Sequence, residues 1–112
     1  MDKIQVAIVG YGNIGSFCTQ AVLAAPDMEL VGIICPEAKT LNLPEFKVVE
    51  ELEDLGGAKI DVAIQCVPSR RVTKVAPQYL ERGINTVDPY DVHGVWDTLQ
   101  EMDAHARKGN AS

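Results

Sequence analysis

Three glycines near the start of this 112-residue chain have a spacing suited to holding phosphate groups. An apolar run over residues 4–9 leads into the motif G-x-G-x-x-G at Gly10, Gly12 and Gly15, and an amphipathic stretch follows over residues 16–25. We predict that Gly10 permits a tight turn, Gly12 lets a pyrophosphate approach the backbone, and Gly15 lets a helix pack on the strand. Unpaired N–H groups at the helix start would face the phosphates. This order indicates a dinucleotide site; the alternative is a plain strand–loop–helix turn of another α/β fold.

Acidic side chains near the far end of the chain form a second group that could do chemistry. Asp88 and Asp91 follow a predicted strand over residues 84–87. A carboxylate there can accept hydrogen bonds from an ammonium group and assist proton transfer. Aspartates at a strand end are also common turn and cap residues, and the residues alone favour that interpretation. His93, just before Gly94, is more typical of a surface or loop residue than of a base.

The cysteines are predicted to be reduced, partly buried thiols. Cys18 lies on the apolar face of the first predicted helix, and Cys35 and Cys66 fall near the ends of two strands that flank a third. Two strand spacings are about 10 Å, which is too far for a disulfide between Cys35 and Cys66. Because His93 and His105 lack ligand spacing to any cysteine, we predict no metal site.

The overall composition is typical of one globular domain over residues 1–112, with 46% hydrophobic and 23% charged residues. A net charge of −6 and a pI near 4.7 argue against nucleic acid or an anionic membrane surface as partner. No apolar run approaches the ~20 residues that span a bilayer. Residues 1–3 lead straight into a strand, so we predict no signal peptide and a cytoplasmic location.

Strands and helices alternate along the chain. We predict strands over 4–9, 29–35, 46–49, 61–67 and 84–87, and helices over 16–25 and 50–55, around 72–80 and over 95–109. Gly83 closes the third helix, and Pro77 either starts or kinks it. Such alternation implies a Rossmann-type α/β fold, a doubly wound parallel sheet of order 3-2-1-4-5. The ligand cleft would lie at the carboxyl ends of strands 1 and 4.

Five strands are one fewer than a full dinucleotide fold carries, so we predict a truncated fold without a substrate domain. The polar residues 107–112 look like a cut in a surface loop. A missing sixth strand should leave a sheet edge or helix face uncovered. Exposed apolar surface of that kind favours self-association into a homo-oligomer.

Four segments resemble meso-diaminopimelate dehydrogenase: V-A-I-V-G-Y-G-N-I-G (6–15), A-P-D-M-E-L-V-G-I (25–33), C-V-P-S-R (66–70) and R-G-I-N-T-V-D-P-Y-D-V-H-G (82–94). The resemblance runs through essentially the whole chain, and the second and fourth segments are the most specific. It implies an NADP-dependent oxidoreductase of the bacterial cytoplasm, which interconverts meso-2,6-diaminopimelate with L-2-amino-6-oxopimelate and ammonia in lysine biosynthesis. Family members are longer homodimers, so this chain would be an amino-terminal part that is inactive alone.

The resemblance also implies roles for individual residues. The motif would hold the pyrophosphate through Gly10, Tyr11, Gly12, Asn13, Ile14 and Gly15. The nicotinamide side of the cleft would be lined by Cys66, Val67 and Pro68. Asp91, together with Tyr90, would face the nicotinamide where the amino centre of the substrate binds.

The segment after the second strand departs from the family, whose NADP-binding members carry arginines there for the 2′-phosphate. This chain reads Cys35-Pro36-Glu37-Ala38-Lys39-Thr40 instead. Glu37 lies near the place where NAD enzymes bind the ribose diol, and it would repel a 2′-phosphate. Lys39 and Thr40 could still reach one. We therefore expect a weakened NADP preference, with NAD as a possible cofactor.

Two other classes of function stay open. One is the cofactor domain of a different two-domain dehydrogenase, such as dihydrodipicolinate reductase or the glucose–fructose type. The segment T-V-D-P-Y-D (86–91) speaks against it. The other is a stand-alone nucleotide-binding or interaction module without catalysis.

Overall fold

The computed structural model describes residues 2–88 and 96–112 and is built on one parallel sheet. Its strands are β1 (Ile4–Val9), β2 (Met28–Ile34), β3 (Val48–Val49), β4 (Val62–Gln65) and β5 (Asn85–Val87). Its helices are α1 (Asn13–Ala24), α2 (Ser69–Leu80) and α3 (Trp96–Gly109), with a short 3-10 helix at Leu52–Leu55.

The sheet has the order β3-β2-β1-β4-β5, and each neighbouring pair is parallel. This confirms the order predicted from the strand–helix alternation. The register places the last residue of β1, Val9, opposite Ile34 of β2 and Gln65 of β4. The carboxyl ends of the three central strands therefore lie side by side.

Side chains that alternate along β1 divide the core into two layers. Ala7 and Val9 face a layer that includes Tyr79 of α2, whereas Val6 and Ile8 face a layer that includes Val22 of α1. Near-continuous apolar runs in β1 and β2 are explained by this burial on both faces. Helix α1 thus covers one face of the sheet, and α2 covers the other.

Several predicted boundaries were wrong by a few residues. Helix α1 begins at Asn13 rather than at residue 16, because Gly12 is already its N-cap. The third strand contains two residues instead of the four predicted over 46–49, and the predicted helix over 50–55 is only a 3-10 turn. Reciprocal side-chain and backbone hydrogen bonds between Glu51 and Asp54 form a capping box that fixes where this turn begins. The strands β2 and β4 also end earlier than predicted, at Ile34 and Gln65.

Pro77 lies inside α2, so the alternative in which the regular helix starts at this proline is wrong. The helix begins eight residues earlier, at Ser69. Beyond its end, Gly83 adopts a φ of +81° and donates its N–H to the carbonyl of Leu80 at 3.0 Å. A positive φ is readily adopted by glycine, so the predicted stop at Gly83 is explained by this turn.

Helix α3 is attached to the end of α2 by charged groups. The Glu81 carboxylate lies 2.6 Å from Nδ1 of His105 and 2.9 Å from Nζ of Lys108. Hydrogen bonds from both groups lower the pKa of Glu81 below its usual value, with the Lys108 bond contributing most. His105 is therefore used in helix packing, and no cluster of three or more potential metal ligands occurs in the described residues.

Strand β5 forms one edge of the sheet. The backbone N–H of Thr86 donates to the carbonyl of Ser112 at 2.8 Å, which places the last residue of the chain beside this strand. Val87 and Leu99 remain more than half exposed near that edge. That a missing strand leaves this edge uncovered, and that the chain self-associates through it, stay predictions. In the part of the chain that the structure describes, no helix has the length and apolar character to cross a membrane.

Candidate dinucleotide site

A cleft of about 690 Å³ lies at the carboxyl ends of β1 and β4. This volume is within the usual range for small-molecule and cofactor sites. The cleft is bounded by the turn after β1, the loop after β2 and the start of α2. Its lining residues are Gly10, Tyr11, Gly12, Asn13, Ile14, Pro36, Glu37, Thr40, Leu41, Cys66, Val67, Pro68 and Arg71.

Gly10 makes the sharp turn that leads out of the sheet into this cleft. Its φ is +92°, and a Cβ atom built on it would lie 2.7 Å from the carbonyl oxygen of Cys66. Its N–H donates to the carbonyl of Ile34 at 2.8 Å, while the N–H of Cys66 donates to the carbonyl of Val9 at 2.7 Å. The turn is therefore held between β2 and β4, and only glycine fits there without displacing backbone.

Gly15 and Gly12 face different surroundings within the same motif. A Cβ atom on Gly15 would lie 2.2 Å from the carbonyl oxygen of Gly10, so α1 packs directly on the turn. A Cβ atom on Gly12 would have no protein atom within 4 Å. Gly15 is thus required by the packing of the protein itself, whereas the bare backbone at Gly12 leaves room for a ligand.

The start of α1 offers hydrogen-bond donors to the cleft. Gly12 is the N-cap, and no side chain caps this end of the helix. The first intrahelical N–H bond runs from Ser16 to Gly12 at 2.9 Å, so the N–H groups of residues 13–15 have no helical partner. No acidic residue lies in the first turn. Free donors and the positive end of the helix dipole make this a favourable place for a phosphate group.

The residues predicted to determine whether NADP or NAD binds lie in the loop after β2, and only some of them line the cleft. Glu37 and Thr40 line the cleft, and the Thr40 hydroxyl donates to the carbonyl of Glu37 at 2.9 Å. Lys39 is not among the lining residues, and its Nζ lies 3.5 Å from a carboxylate oxygen of Glu50. Cys35 is 1% exposed and belongs to the core. The structure therefore places three of the predicted cofactor residues, Gly15, Cys35 and Lys39, outside the cleft lining.

Cys66 brings a thiol to the edge of the cleft, next to a second thiol on α1. Burial first, and then the charge and hydrogen bonding of the neighbouring Cys18 thiol, raise the pKa of Cys66 to about 12. The thiolate is the nucleophilic form of cysteine. At neutral pH Cys66 is therefore a neutral lining residue and does not act as a nucleophile.

Alkylation of Cys66 at pH 8 is expected to be at least about 100-fold slower in the folded chain than in concentrated urea, since the pKa falls from about 12 to 9.0 on exposure. Timed iodoacetamide labelling followed by peptide mass mapping measures this ratio. The variant Cys18→Ala serves as a control, because removing the second thiol should lower the pKa of Cys66 and speed its labelling. Equal labelling rates in the folded and unfolded chain would contradict the assignment.

Arg71 is a lining residue that the sequence analysis did not single out. It lies in the first turn of α2, directly after the segment Cys66, Val67, Pro68 that was assigned to the cleft. The available signal was the pair of arginines at 70 and 71, just past the end of a strand that was expected to border the site.

The predicted substrate-facing residues Tyr90 and Asp91, and also His93, lie outside the described residues. Asp88 is exposed and borders a different cavity, between β5, α2 and α3.

These features define the chain as a dinucleotide-binding domain of the oxidoreductase type. A family model described as "Oxidoreductase family, NAD-binding Rossmann fold" matches residues 4–110, and the chain belongs to this family. The resemblance read from the sequence segments is confirmed by relatives of known function. The meso-diaminopimelate D-dehydrogenase of Bacteroides fragilis is 44% identical over 115 residues, which cover 99% of this chain and 38% of that protein. The enzyme of Corynebacterium glutamicum is 38% identical over 96 residues, covering 83% of this chain and 29% of that protein.

Solved structures give the same result. The diaminopimelate dehydrogenase of C. glutamicum in complex with diaminopimelate has a TM-score of 0.86 at 34% identity, covering 99% of this chain and 35% of that one. An engineered D-amino acid dehydrogenase bound to NADP⁺ has a TM-score of 0.82 at 32% identity, covering 97% and 35%. The chain therefore spans about a third of the length of these relatives.

Proposed function

We propose that this chain is the nicotinamide-dinucleotide-binding part of a meso-diaminopimelate dehydrogenase. The observation that carries the proposal is the bare backbone at Gly12, which lies at the start of α1 and has no protein atom near its missing side chain. A cradle of this kind fits a pyrophosphate. The 44% identity to the B. fragilis enzyme supports the same class of reaction.

In this proposal the residues of the cleft divide the dinucleotide between them. The N–H groups of residues 13–15 bind the pyrophosphate, and Cys66, Val67 and Pro68 form the surface beside the nicotinamide. A bound nicotinamide cofactor supplies the hydride acceptor for oxidation of an amino acid. The thiol of Cys66 is neutral and adds no charge beside the nicotinamide.

The amino-acid substrate is the second half of the proposal. Asp91 accepts hydrogen bonds from the ammonium group at the D-centre of meso-diaminopimelate, and Tyr90 lines the same place. The roles of Asp91 and Tyr90 are supported by the resemblance of the segment T-V-D-P-Y-D (86–91). The substrate class is supported by the diaminopimelate bound in the C. glutamicum complex. The relatives are about three times as long, so a further domain completes the substrate pocket. We propose that such an enzyme acts in the cytoplasm as a homo-oligomer.

One carboxylate in the cleft opposes the binding of NADP. Glu37 lines the cleft in the loop after β2, where the ribose of the adenosine half binds in folds of this type. Lys39 lies outside the cleft lining, and its Nζ lies 3.5 Å from Glu50 in an exposed ion pair. We therefore propose that NADP is bound less strongly than a site with arginines after β2 would bind it, and that NAD is also accepted.

Isothermal titration of the chain with NADPH and then with NADH tests the proposal. We expect saturable one-to-one binding of both cofactors. A titration of the chain with ATP is the control, because it shares the adenosine and phosphates but lacks the nicotinamide half. Absence of binding by both dinucleotides would overturn the proposal, and the glycine motif would then serve only the fold.

A further inference from the structure

The cleft contains one cationic side chain from the described residues, Arg71. Within residues 2–88 and 96–112, six lysine, arginine or histidine side chains form ion pairs with carboxylates. Arg71 is not one of these six. Its guanidinium is therefore available to a ligand. The opposite wall of the cleft carries Glu37 and Thr40.

The backbone of α2 fixes where this arginine lies. The N–H of Arg71 donates to the carbonyl of Pro68 at 2.7 Å, which closes the first turn of the helix beside the end of β4. Arg70 precedes it on the same turn; both residues are exposed, but Arg70 is not among the cleft residues. Adjacent residues of a helix point about 100° apart, so the two arginines serve different surfaces.

We propose that Arg71 binds the 2′-phosphate of NADP and supplies from α2 the positive charge that the loop after β2 lacks. The inference rests on the proposed function, because it assumes that the ribose of the adenosine half lies on the Glu37 side of the cleft, within reach of the Arg71 guanidinium. A guanidinium presents a planar fork of donors that matches phosphate oxygens, and this geometry gives strong charge-assisted bonds.

Glu37 and Arg71 then have opposite effects on the binding of the 2′-phosphate. Glu37 favours a free ribose diol, as in NAD, and repels the 2′-phosphate, whereas Arg71 attracts it. Thr40 lies on the same wall as Glu37, and its hydroxyl donates to the Glu37 carbonyl. Glu37 and Arg71 together set the ratio of the NADP affinity to the NAD affinity. Removing Glu37 should raise this ratio, and removing Arg71 should lower it.

The test compares NADPH and NADH binding to the full chain by isothermal titration, for Arg71→Ala and for the matched control Arg70→Ala. We expect Arg71→Ala to weaken NADPH binding about 10- to 100-fold, as the loss of a charge-assisted bond to phosphate predicts, and to change NADH binding less than about 3-fold. Arg70→Ala should leave both affinities unchanged. The reciprocal variant Glu37→Gln should strengthen NADPH binding relative to NADH.

Each other outcome has a separate meaning. An equal loss of affinity for NADPH and for NADH in Arg71→Ala would overturn the inference, because the arginine would then contact a group common to both cofactors. Unchanged NADPH binding, or a wild-type chain that binds only NADH, would overturn it as well and leave the proposed function standing. If the wild-type chain binds neither dinucleotide, the proposed function and the inference both fail. A circular dichroism melt of each variant verifies that the fold is retained.

Discussion

Replacing Gly15 with alanine is expected to destabilise the domain by about 1–3 kcal/mol or more, the usual cost of overpacking a tight contact. Alanine in a helix is intrinsically favoured over glycine by about 1 kcal/mol, so helix propensity alone predicts the opposite sign. The new methyl group would lie 2.2 Å from the carbonyl oxygen of Gly10 and 3.0 Å from its carbon. Both are backbone atoms that no rotamer change can move, so α1 must shift away from the sheet and the steric cost exceeds the propensity gain.

Urea unfolding followed by circular dichroism measures this difference in the free energy of unfolding. Gly57→Ala is a matched control, because Gly57 is exposed, has no atom within 4 Å of a new Cβ, and does not adopt a positive φ. Its stability should stay within about 0.5 kcal/mol of the wild type. A Gly15→Ala variant as stable as the Gly57→Ala variant would show that α1 does not pack on the turn in this way.

The architecture of the sheet was predictable because it depends on patterns that are local in sequence. Apolar runs bounded by turn residues marked the five strands, and the helices between them required parallel pairing. The ends of the elements were less predictable. Helix α1 starts inside the glycine motif, since Gly12 can cap a helix without a side chain, and β3 is cut to the two residues that pair with Ile33 and Ile34.

The candidate site was predictable where the backbone alone forms it. Gly10 is required by turn geometry and Gly15 by close packing, and the glycine spacing reveals both. Charged side chains were harder to assign, because their partners come from distant segments. Lys39 lies near Glu50 across a loop, and Arg71 reaches the cleft only because β4 lies beside β1.

The thiols illustrate the same limit. The sequence predicted Cys35 and Cys66 near the ends of two strands that flank a third, and the sheet order confirms that β1 lies between β2 and β4. The pair that interacts is Cys66 with Cys18, one turn beyond Gly15 on α1. The close approach of α1 that Gly15 allows brings Cys18 toward the end of β4, and a Cβ on Gly15 would itself lie 3.6 Å from the Cβ of Cys66. Contacts of this kind depend on how a helix crosses the sheet, which a one-dimensional pattern does not specify.

Replacing Gly12 with alanine is expected to weaken dinucleotide binding about 30-fold or more, which corresponds to the roughly 2 kcal/mol typical of a methyl group forced into a tight contact. The protein itself should tolerate the change. Gly12 has a φ of −89°, which any residue adopts, and no protein atom lies within 4 Å of its new Cβ. Only the less favourable helix cap should lower stability, by less than about 1 kcal/mol.

The two glycine variants are therefore expected to have opposite effects on stability and on cofactor affinity. Gly15→Ala should lower the urea midpoint strongly, whereas Gly12→Ala should leave the midpoint close to the wild type and lose affinity for NADPH and NADH together. An equal loss for both cofactors is required, because the pyrophosphate is common to them, and this separates the role of Gly12 from that of Arg71. If Gly12→Ala bound both dinucleotides as tightly as the wild type, the open space above Gly12 would not be where the pyrophosphate lies, and a ligand in this cleft would have to approach α1 from another direction.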